Sequence, residues 1–281
     1  VKPAPFVYVR ARSLAEVFDA LDRHGEEARL LAGGQSLIPA LNLRLAAPAL
    51  LVDINRVAEL AGIALRDGVV RVGALTRHAE LEASDVVARH LPLLAEAMPQ
   101  TAHPAIRARG TLGGSIALAD PAAELPACAL ALDAVIVAAS RAGERRIAAR
   151  DFFRGLYQTD LRPGELVAAV EFAVQSPDRP GCVLELARRQ GDYAIVGLAA
   201  VAAVRDGALQ DPRLAFFGVG PTPLRAAAAE AAIASPGGVA AAQAALEHDL
   251  DPPQDLHGPP EFRRHLARVL LGRAAARLMP G

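Results

Sequence analysis

Tryptophan is absent from this 281-residue chain, cysteine occurs only at 128 and 182, and lysine only at position 2. Two thiols cannot build a disulfide framework or supply four thiolates to an iron–sulfur cluster, so Cys128 and Cys182 are expected as buried free thiols. The seven histidines, at 24, 78, 90, 103, 248, 257 and 265, form neither HExxH nor any short His/Cys spacing, so no resident metal is expected. No uncharged apolar run reaches the roughly 18 residues of a membrane span. The first residues, with Pro3, Pro5, Arg10 and Arg12, lack the apolar core of a signal peptide, and the expected location is the cytoplasm. Thirty Lys+Arg against 31 Asp+Glu leave a net charge of -1, without the basic field that non-specific nucleic-acid binding needs.

What is present is globular: 52% of residues are hydrophobic, and the length predicts two or three subdomains around separate cores. Ser13 and Glu16 make a capping box ahead of apolar positions 14, 17, 18 and 21, which predicts an amphipathic helix. Strands are predicted at 29–32, 50–54, 68–73, 134–138 and 166–174, with helices through Leu81, over 90–97 and over the very apolar 121–132. Residues 175–181, with two prolines and a glycine, read as a linker. Beyond it, strands at 183–186, 197–204 and 214–219, joined by tight turns including Asp206-Gly207, predict an antiparallel sheet. Helices are predicted at 224–234, 238–248 and 261–278.

Two glycine pairs carry the chemistry. Leu31-Ala32-Gly33-Gly34-Gln35-Ser36 ends a predicted strand in two glycines and two hydrogen-bonding side chains. Paired glycines let backbone N–H groups approach a phosphate and tolerate φ > 0. Taken alone, one such pair is also an ordinary tight turn. Arg109-Gly110-Thr111-Leu112-Gly113-Gly114-Ser115 repeats the pattern, and two such nests predict a dinucleotide pyrophosphate held without lysine. Neither GxGxxG nor the Gly-rich phosphate loop with its lysine occurs, which disfavours a Rossmann nicotinamide site and a P-loop. Gly218-Val219-Gly220 begins like the former and is broken by Pro221.

The strings AGGQSLIPALNLRL from Ala32, PALLVDI from Pro48, HPAIRARGTLGGSIALADPAAELPA from His103, RRQGDYAIVG from Arg188 and FFGVGPTPLRA from Phe216 occur in one order over almost the whole chain. In this the chain resembles the FAD-binding medium subunit of molybdenum hydroxylases, of the carbon monoxide dehydrogenase flavoprotein type within the xanthine dehydrogenase superfamily. The resemblance implies an α+β protein with the vanillyl-alcohol-oxidase-type (PCMH-like) FAD-binding fold: two α/β subdomains, at 1–57 and 58–175, and a C-terminal domain of antiparallel sheet with helices at 176–281. It places FAD against Ala32, Gly33, Gly34, Gln35, Ser36, Leu37 and Ile38 of the first segment and against Thr111, Gly113, Gly114, Ser115 and Ala117 of the second. Glu124 falls where the family places an acid on the ribityl or pyrophosphate side. Read by itself, it is equally a first-turn helix carboxylate, as Asp120 is equally an N-cap. Tyr193 matches a gate over the flavin ring, or else a tyrosine beginning a buried strand, and Leu161 matches a backbone contact to the flavin. His103 reads as a loop histidine or a proton donor near the flavin. Gln35, Ala108, Ser115 and Glu185 depart from the His, Asn, Asn and Lys of various relatives, and Glu185 removes a cation near the flavin.

The resemblance further implies an electron relay with no catalytic residue of its own. The molybdenum cofactor resides on a large partner subunit and two 2Fe–2S clusters on a small one, in a heterotrimer that is commonly doubled. The flavin of this chain passes electrons to an external acceptor. Leu37 to Leu41 is a candidate partner surface, or else packs beneath the FAD. The contrasting readings are a stand-alone flavoprotein oxidoreductase, for which no cluster of titratable residues stands out, and a non-enzymatic subunit that has lost flavin.

Overall fold

The computed structural model describes residues 2–205, 207–235 and 238–279. The first sheet is parallel and has the order β1-β3-β2, from β1 (Val7–Arg10), β2 (Ala28–Leu31) and β3 (Leu50–Asp53). Parallel neighbours need crossovers, and α1 (Leu14–His24) and α2 (Leu37–Asn42) supply them. The Ser13 hydroxyl accepts from the Glu16 amide and the Glu16 carboxylate from the Arg12 amide, so the predicted capping residues do fix the start of α1.

The second sheet, β4-β5-β10-β6-β7, is antiparallel throughout, where the resemblance implies an α/β subdomain. Two hairpins cause this. One joins β4 (Ile63–Arg66) to β5 (Val69–Gly73) through Asp67-Gly68, both at positive φ. The other joins β6 (Val135–Ser140) to β7 (Gly143–Ala148), and β10 (Leu166–Ala173) enters between them. Between β5 and β6 run α3 (His78–Glu82), α4 (Asp85–His90), α5 (Pro92–Ala97), α6 (Pro104–Arg107), α7 (Leu112–Leu118) and α8 (Glu124–Ala131); α9 (Ala149–Phe152), β8 (Phe153–Gly155) and β9 (Gln158–Thr159) precede β10. The helix predicted from His90 begins at Pro92, because proline fits the first helical turn and ends the run of α4 before it. The helix predicted from Pro121 begins at Glu124, since the Asp120 carboxylate accepts from the Ala122 amide and holds a turn; Ala123, not Asp120, is its N-cap.

The third sheet has the order β11-β12-β13-β14, from β11 (Gly181–Leu186), β12 (Val196–Arg205), β13 (Ala208–Phe217) and β14 (Leu224–Arg225). Asp206 of the predicted hairpin turn lies outside the described residues. Two differences from expectation stand out. The β11–β12 connection is not a tight turn but a loop over 187–195, and the helix predicted from Leu224 starts later, as α10 (Ala227–Ile233). Leu224 and Arg225 pair instead with Phe216 and Ala215, where Arg225 meets Glu230 and Asp133. Helices α11 (Gly238–Asp249) and α12 (Pro260–Leu278) then cover one sheet face, burying Leu198, Phe216, Leu246, Leu270, Leu271 and Ala274 together.

Every residue of α8 is buried because it lies between sheets: its core includes Ile136 and Val170 on one side and Ala199, Ala215 and Phe217 on the other. This explains its unbroken apolar run, which an amphipathic surface helix would not have. A third core joins Val52 of the parallel sheet to Val137, Ala139 and Leu166 of the five-stranded one. Arg263 of α12 is 3% exposed; its guanidinium donates to the Gly218 carbonyl (2.7 Å), to the Ile195 carbonyl and to Asp255 (2.6 Å). Removing the donor strands two inward carbonyls and a carboxylate, so Arg263→Met is expected to cost about 3 kcal/mol of unfolding free energy, read from the urea midpoint.

Candidate functional site

The two glycine segments meet. A Cβ on Gly33 would stand 2.2 Å from the Arg109 carbonyl oxygen, so the backbones touch where position 33 can carry no side chain. Gly34 has φ +74, as the nest argument requires. Among the described residues, no acceptor receives the amides of Gly33, Gly34, Gln35, Ser36 or Leu37, whereas the Ile38 amide already bonds to the Gly34 carbonyl. Five successive amide donors therefore surround the strand-to-helix turn, and Gln35 and Ser36 are exposed. The Gln35 side chain donates to the Gly33 carbonyl (3.0 Å) and so braces the loop itself.

The second segment is built differently from the predicted nest. Gly113 and Gly114 lie in the first turn of α7 without positive φ, and their amides are already bonded to the Ala74 carbonyl (2.8 Å) and the Thr111 hydroxyl (3.1 Å). Gly113 is needed because a Cβ there would lie 2.4 Å from the Cβ of Ala74. Gly114 and Ala117, one turn apart, leave an exposed face without bulk, with the Ser115 hydroxyl beside it. Arginines, not a lysine, stand at this seam. Arg77 donates to the Arg109 carbonyl and to Asn55 (2.6 Å), and so lies between the two segments with Arg109 next to it.

His78, buried at 5% exposure, places Nε2 3.2 Å from the Ser115 hydroxyl, and among the described residues its Nδ1 has no partner. Burial, aided by the charges of Arg107 and Arg77, depresses its pKa to about 4, so the ring is neutral at pH 7. A neutral imidazole can donate to Ser115 and leave the hydroxyl proton for an anion. Neither Asn55, Arg77 nor His78 was singled out from the sequence: Thr76-Arg77-His78 reads only as the approach to a helix, and the Asn55–Arg77 contact spans 22 positions.

At the other end of α7 stands a group of acids. Glu124, 7% exposed, opens α8; burial, then the charge of Asp120, raises its pKa to about 7. Burial and the charge of Glu124 likewise raise Glu185, on β11, to about 7, and its Oε2 has no partner among the described residues. Burial also raises the pKa of Asp120, against the opposing pull of the Ala122 amide and the Tyr157 hydroxyl. Tyr193 is 65% exposed in the 187–195 loop, not the start of a buried strand. Partial burial of its hydroxyl, with Asp120, Tyr157 and Glu124 nearby, raises the phenol pKa. Its loop rests on His103, since a Cβ on Gly191 would lie 2.6 Å from His103 Nδ1. Leu161 is half-buried against the main core. The structure thus brings the two glycine segments into contact and sets Glu185 and Tyr193 each near Glu124, beyond the far end of α7.

These shifts predict opposing pH effects. Glu124 and Glu185 keep a proton to about 7 when folded but lose it near their ordinary 4.5 when unfolded, so stability falls as pH rises through that window. His78 stays neutral to about 4 when folded yet protonates below its ordinary 6.5 when unfolded, so its contribution is lost as pH falls from 6.5 to 4. Glu124→Gln is therefore expected to raise the thermal midpoint of the apo chain at pH 7.5, with the advantage gone by pH 4.5; a constant difference across that range would contradict the buried, protonated acid.

Comparison with known proteins now adds to this geometry. Residues 4–173 match the FAD binding domain in molybdopterin dehydrogenase, and residues 183–278 match the CO dehydrogenase flavoprotein C-terminal domain. The chain is 41% identical to the 6-hydroxypseudooxynicotine dehydrogenase complex subunit alpha of Paenarthrobacter nicotinovorans, over 99% of this chain and 96% of that one. It superposes with TM-score 0.96 and 36% identity on a chain of carbon monoxide dehydrogenase from Hydrogenophaga pseudoflava, solved without the Mo-pyranopterin moiety of its molybdenum cofactor, covering 99% of this chain and all of that one. With a chain of quinoline 2-oxidoreductase from Pseudomonas putida 86 the TM-score is 0.93 at 36% identity, covering 100% and 99%. No helix among the described residues is long and apolar enough to cross a membrane. With both halves matched and relatives aligned along nearly their full length, the chain belongs to the FAD-binding medium-subunit family of molybdenum-dependent dehydrogenases.

Proposed function

We propose that this chain is the FAD-carrying electron-transfer subunit of a molybdenum hydroxylase, and that it holds FAD across the seam between its two glycine segments. The observation that carries this reading is the row of five unbonded amides at 33–37, set against the Arg109 backbone with Arg77 beside it. Amides on a strand-to-helix turn, next to two guanidinium groups, suit a diphosphate. The segment from Ala32 to Ile38 would bind one side of the pyrophosphate. Ser115 would contribute its hydroxyl and the small exposed face of Gly114 and Ala117 would let the cofactor lie close to α7, which the buried Thr111 cap and Gly113 hold in place.

A helix of seven residues spans about 10 Å, which separates the anion end from Glu124 and Tyr193 by a distance a ribityl chain can bridge. Glu124 would then accept or share protons at the sugar alcohol, Leu161 would offer its backbone to the ring, and Tyr193 would cover the ring face. FAD, when bound, supplies the conversion between one-electron and two-electron transfer. Tyr193 would shield the ring from water, and the protonated Glu124 and Glu185 would keep negative charge away from it at neutral pH.

With only Cys128 and Cys182, both buried, iron–sulfur clusters of four thiolates belong on another chain. The reading therefore assigns two 2Fe–2S clusters to a small partner and the molybdenum cofactor to a large one, in an (αβγ)2 assembly, with a diffusible or protein acceptor downstream. The 37–41 stretch divides between the two roles weighed for it: Leu41 is buried, while Ile38, and beyond it Leu43 and Leu45, stand 39%, 65% and 79% exposed and suit a partner face. That relatives 36% to 41% identical belong to 6-hydroxypseudooxynicotine, carbon monoxide and quinoline enzymes supports substrate choice on another subunit. We assign the three larger sheets to units at 1–57, 58–175 and 176–281, the first two making the vanillyl-alcohol-oxidase-type cofactor cleft, and the cytoplasm as the compartment.

The test is the visible spectrum of the purified chain, alone and co-expressed with its partners, followed by identification of the small molecule released on denaturation. Released FAD is expected; a colourless complex that takes up no added FAD would overturn the proposal. Gly33→Ala, which drives a Cβ into the Arg109 carbonyl, is expected to weaken FAD binding at least about ten-fold in a flavin-fluorescence titration.

A further inference from the structure

Asn55 follows β3 and lies beneath the first glycine segment. Its side-chain nitrogen is 2.8 Å from the Ala32 carbonyl, 3.2 Å from the Leu31 carbonyl and 2.6 Å from Asp53 Oδ1, and its backbone amide donates to the same Asp53 oxygen (2.9 Å). Although burial opposes it, bonds from Tyr8 and Asn55, together with Arg10, hold the Asp53 carboxyl below its ordinary pKa. A carboxylate on one side dictates which way the amide points: the nitrogen faces Asp53 and the loop carbonyls, and Oδ1 faces outward. That oxygen accepts from Arg77 at 2.6 Å.

Arg77 belongs to the second segment. It forms a β-bridge with Thr111, and the residues on either side of it lock into the same strip, with the His78 amide bonded to the Gly110 carbonyl (3.0 Å) and the Leu112 amide to the Thr76 carbonyl (3.0 Å). Its other guanidinium nitrogen donates to the Arg109 carbonyl, the oxygen against which Gly33 is packed. The guanidinium is rigid and planar, so its two ends fix a distance in a way a lysine cannot.

We propose that Asn55 and Arg77 are a clamp whose length sets the spacing of the two glycine segments, and thereby how tightly the chain holds FAD. Both are positioning residues: Asn55 acts on the amides of 33–37 through the Ala32 carbonyl, and Arg77 acts by tying that group to the Arg109 backbone. The inference rests on the FAD reading above and adds to it the pair on which cofactor retention depends. Misplacing one wall of a site by a fraction of an ångström removes hydrogen bonds to the anion without unfolding either domain.

The experiment is a double-mutant cycle on the full chain, co-expressed with its partners where they are needed, using FAD as the probe. The dissociation constant is read by flavin fluorescence and the thermal midpoint on the apo form. Asn55→Ala and Arg77→Ala are each expected to weaken FAD about ten-fold, with the double variant no weaker than the weaker single, because one clamp is broken only once. Asn55→Asp keeps the acceptor for Arg77 but turns a second carboxylate toward the Ala32 carbonyl, and should lose FAD affinity despite added ion pairing. It and Arg77→Lys carry the test if the alanine variants do not fold. A weakening in Arg77→Ala alone, with Asn55→Ala like wild type, would mean that Arg77 acts only as a charge and would overturn the clamp; so would losses that multiply. A wild-type chain that binds no FAD overturns the cofactor reading itself, a result distinct from a wild type that binds while Asn55→Ala is unchanged.

Discussion

Backbone lies directly on backbone along one seam of this protein. Gly33 packs on the Arg109 carbonyl, Gly73 on the Leu60 carbonyl, where a Cβ would stand 2.5 Å away, and Gly113 on Ala74. None of the three has positive φ, so none is glycine for the sake of a turn. Each is glycine because two elements approach more closely than a methyl group allows. The parallel sheet, the five-stranded sheet and α7 are thereby joined with their main chains in register, and the shared core of Val52, Leu60, Val137 and Leu166 closes behind them. A site formed between two sheets needs such a seam, because donors on one wall serve a ligand held by the other only if their spacing is fixed.

Polarity follows from the same geometry. At one end of α7 are the free amides of 33–37 with Arg77 and Arg109; at the other are Asp120, Glu124 and Glu185. The acids are packed closely enough, and are dry enough, that Glu124 and Glu185 hold protons near neutral pH, so the far end is less negative than three carboxyls suggest. The cleft is then electropositive where a diphosphate would lie and close to neutral where a ring and its sugar alcohol would lie. That distribution would orient a dinucleotide held as proposed above, and it arises from burial as much as from residue type.

Much of this was legible in advance. The capping box at Ser13, the strands ending in glycine and the final helix were readable because each has a local cause within a few residues. The pair of glycine motifs was readable too, but its physics was only half right. Gly34 is a nest glycine with positive φ, whereas Gly113 and Gly114 begin a helix whose amides are already bonded, a difference that depends on Ala74, far away in sequence. The antiparallel order of the second sheet was hidden for a similar reason: β10 inserts between β5 and β6, and no local pattern states where a strand will insert. Asn55, Arg77 and the burial of His78 carried no periodicity or motif, since their importance lies in what they touch.

The C-terminal unit has a part in the site even though it supplies few of its residues. Helix α8 is clamped between sheets, with the Gly218 amide bonded to the Pro121 carbonyl (2.7 Å) just ahead of Glu124. Arg263, from α12, holds the carbonyls of Gly218 and Ile195, and Ile195 is only two residues beyond Tyr193. One buried guanidinium therefore sets both the turn that precedes Glu124 and the end of the loop that carries Tyr193. His103 supports the same loop from the other side, at Gly191. The 187–195 loop is thus held on either side of Tyr193, at Gly191 and at Ile195, while Tyr193 itself stays exposed. The C-terminal unit packed in this way is a frame for the turn before Glu124 and for the loop that carries Tyr193, the residue proposed above to cover the flavin ring.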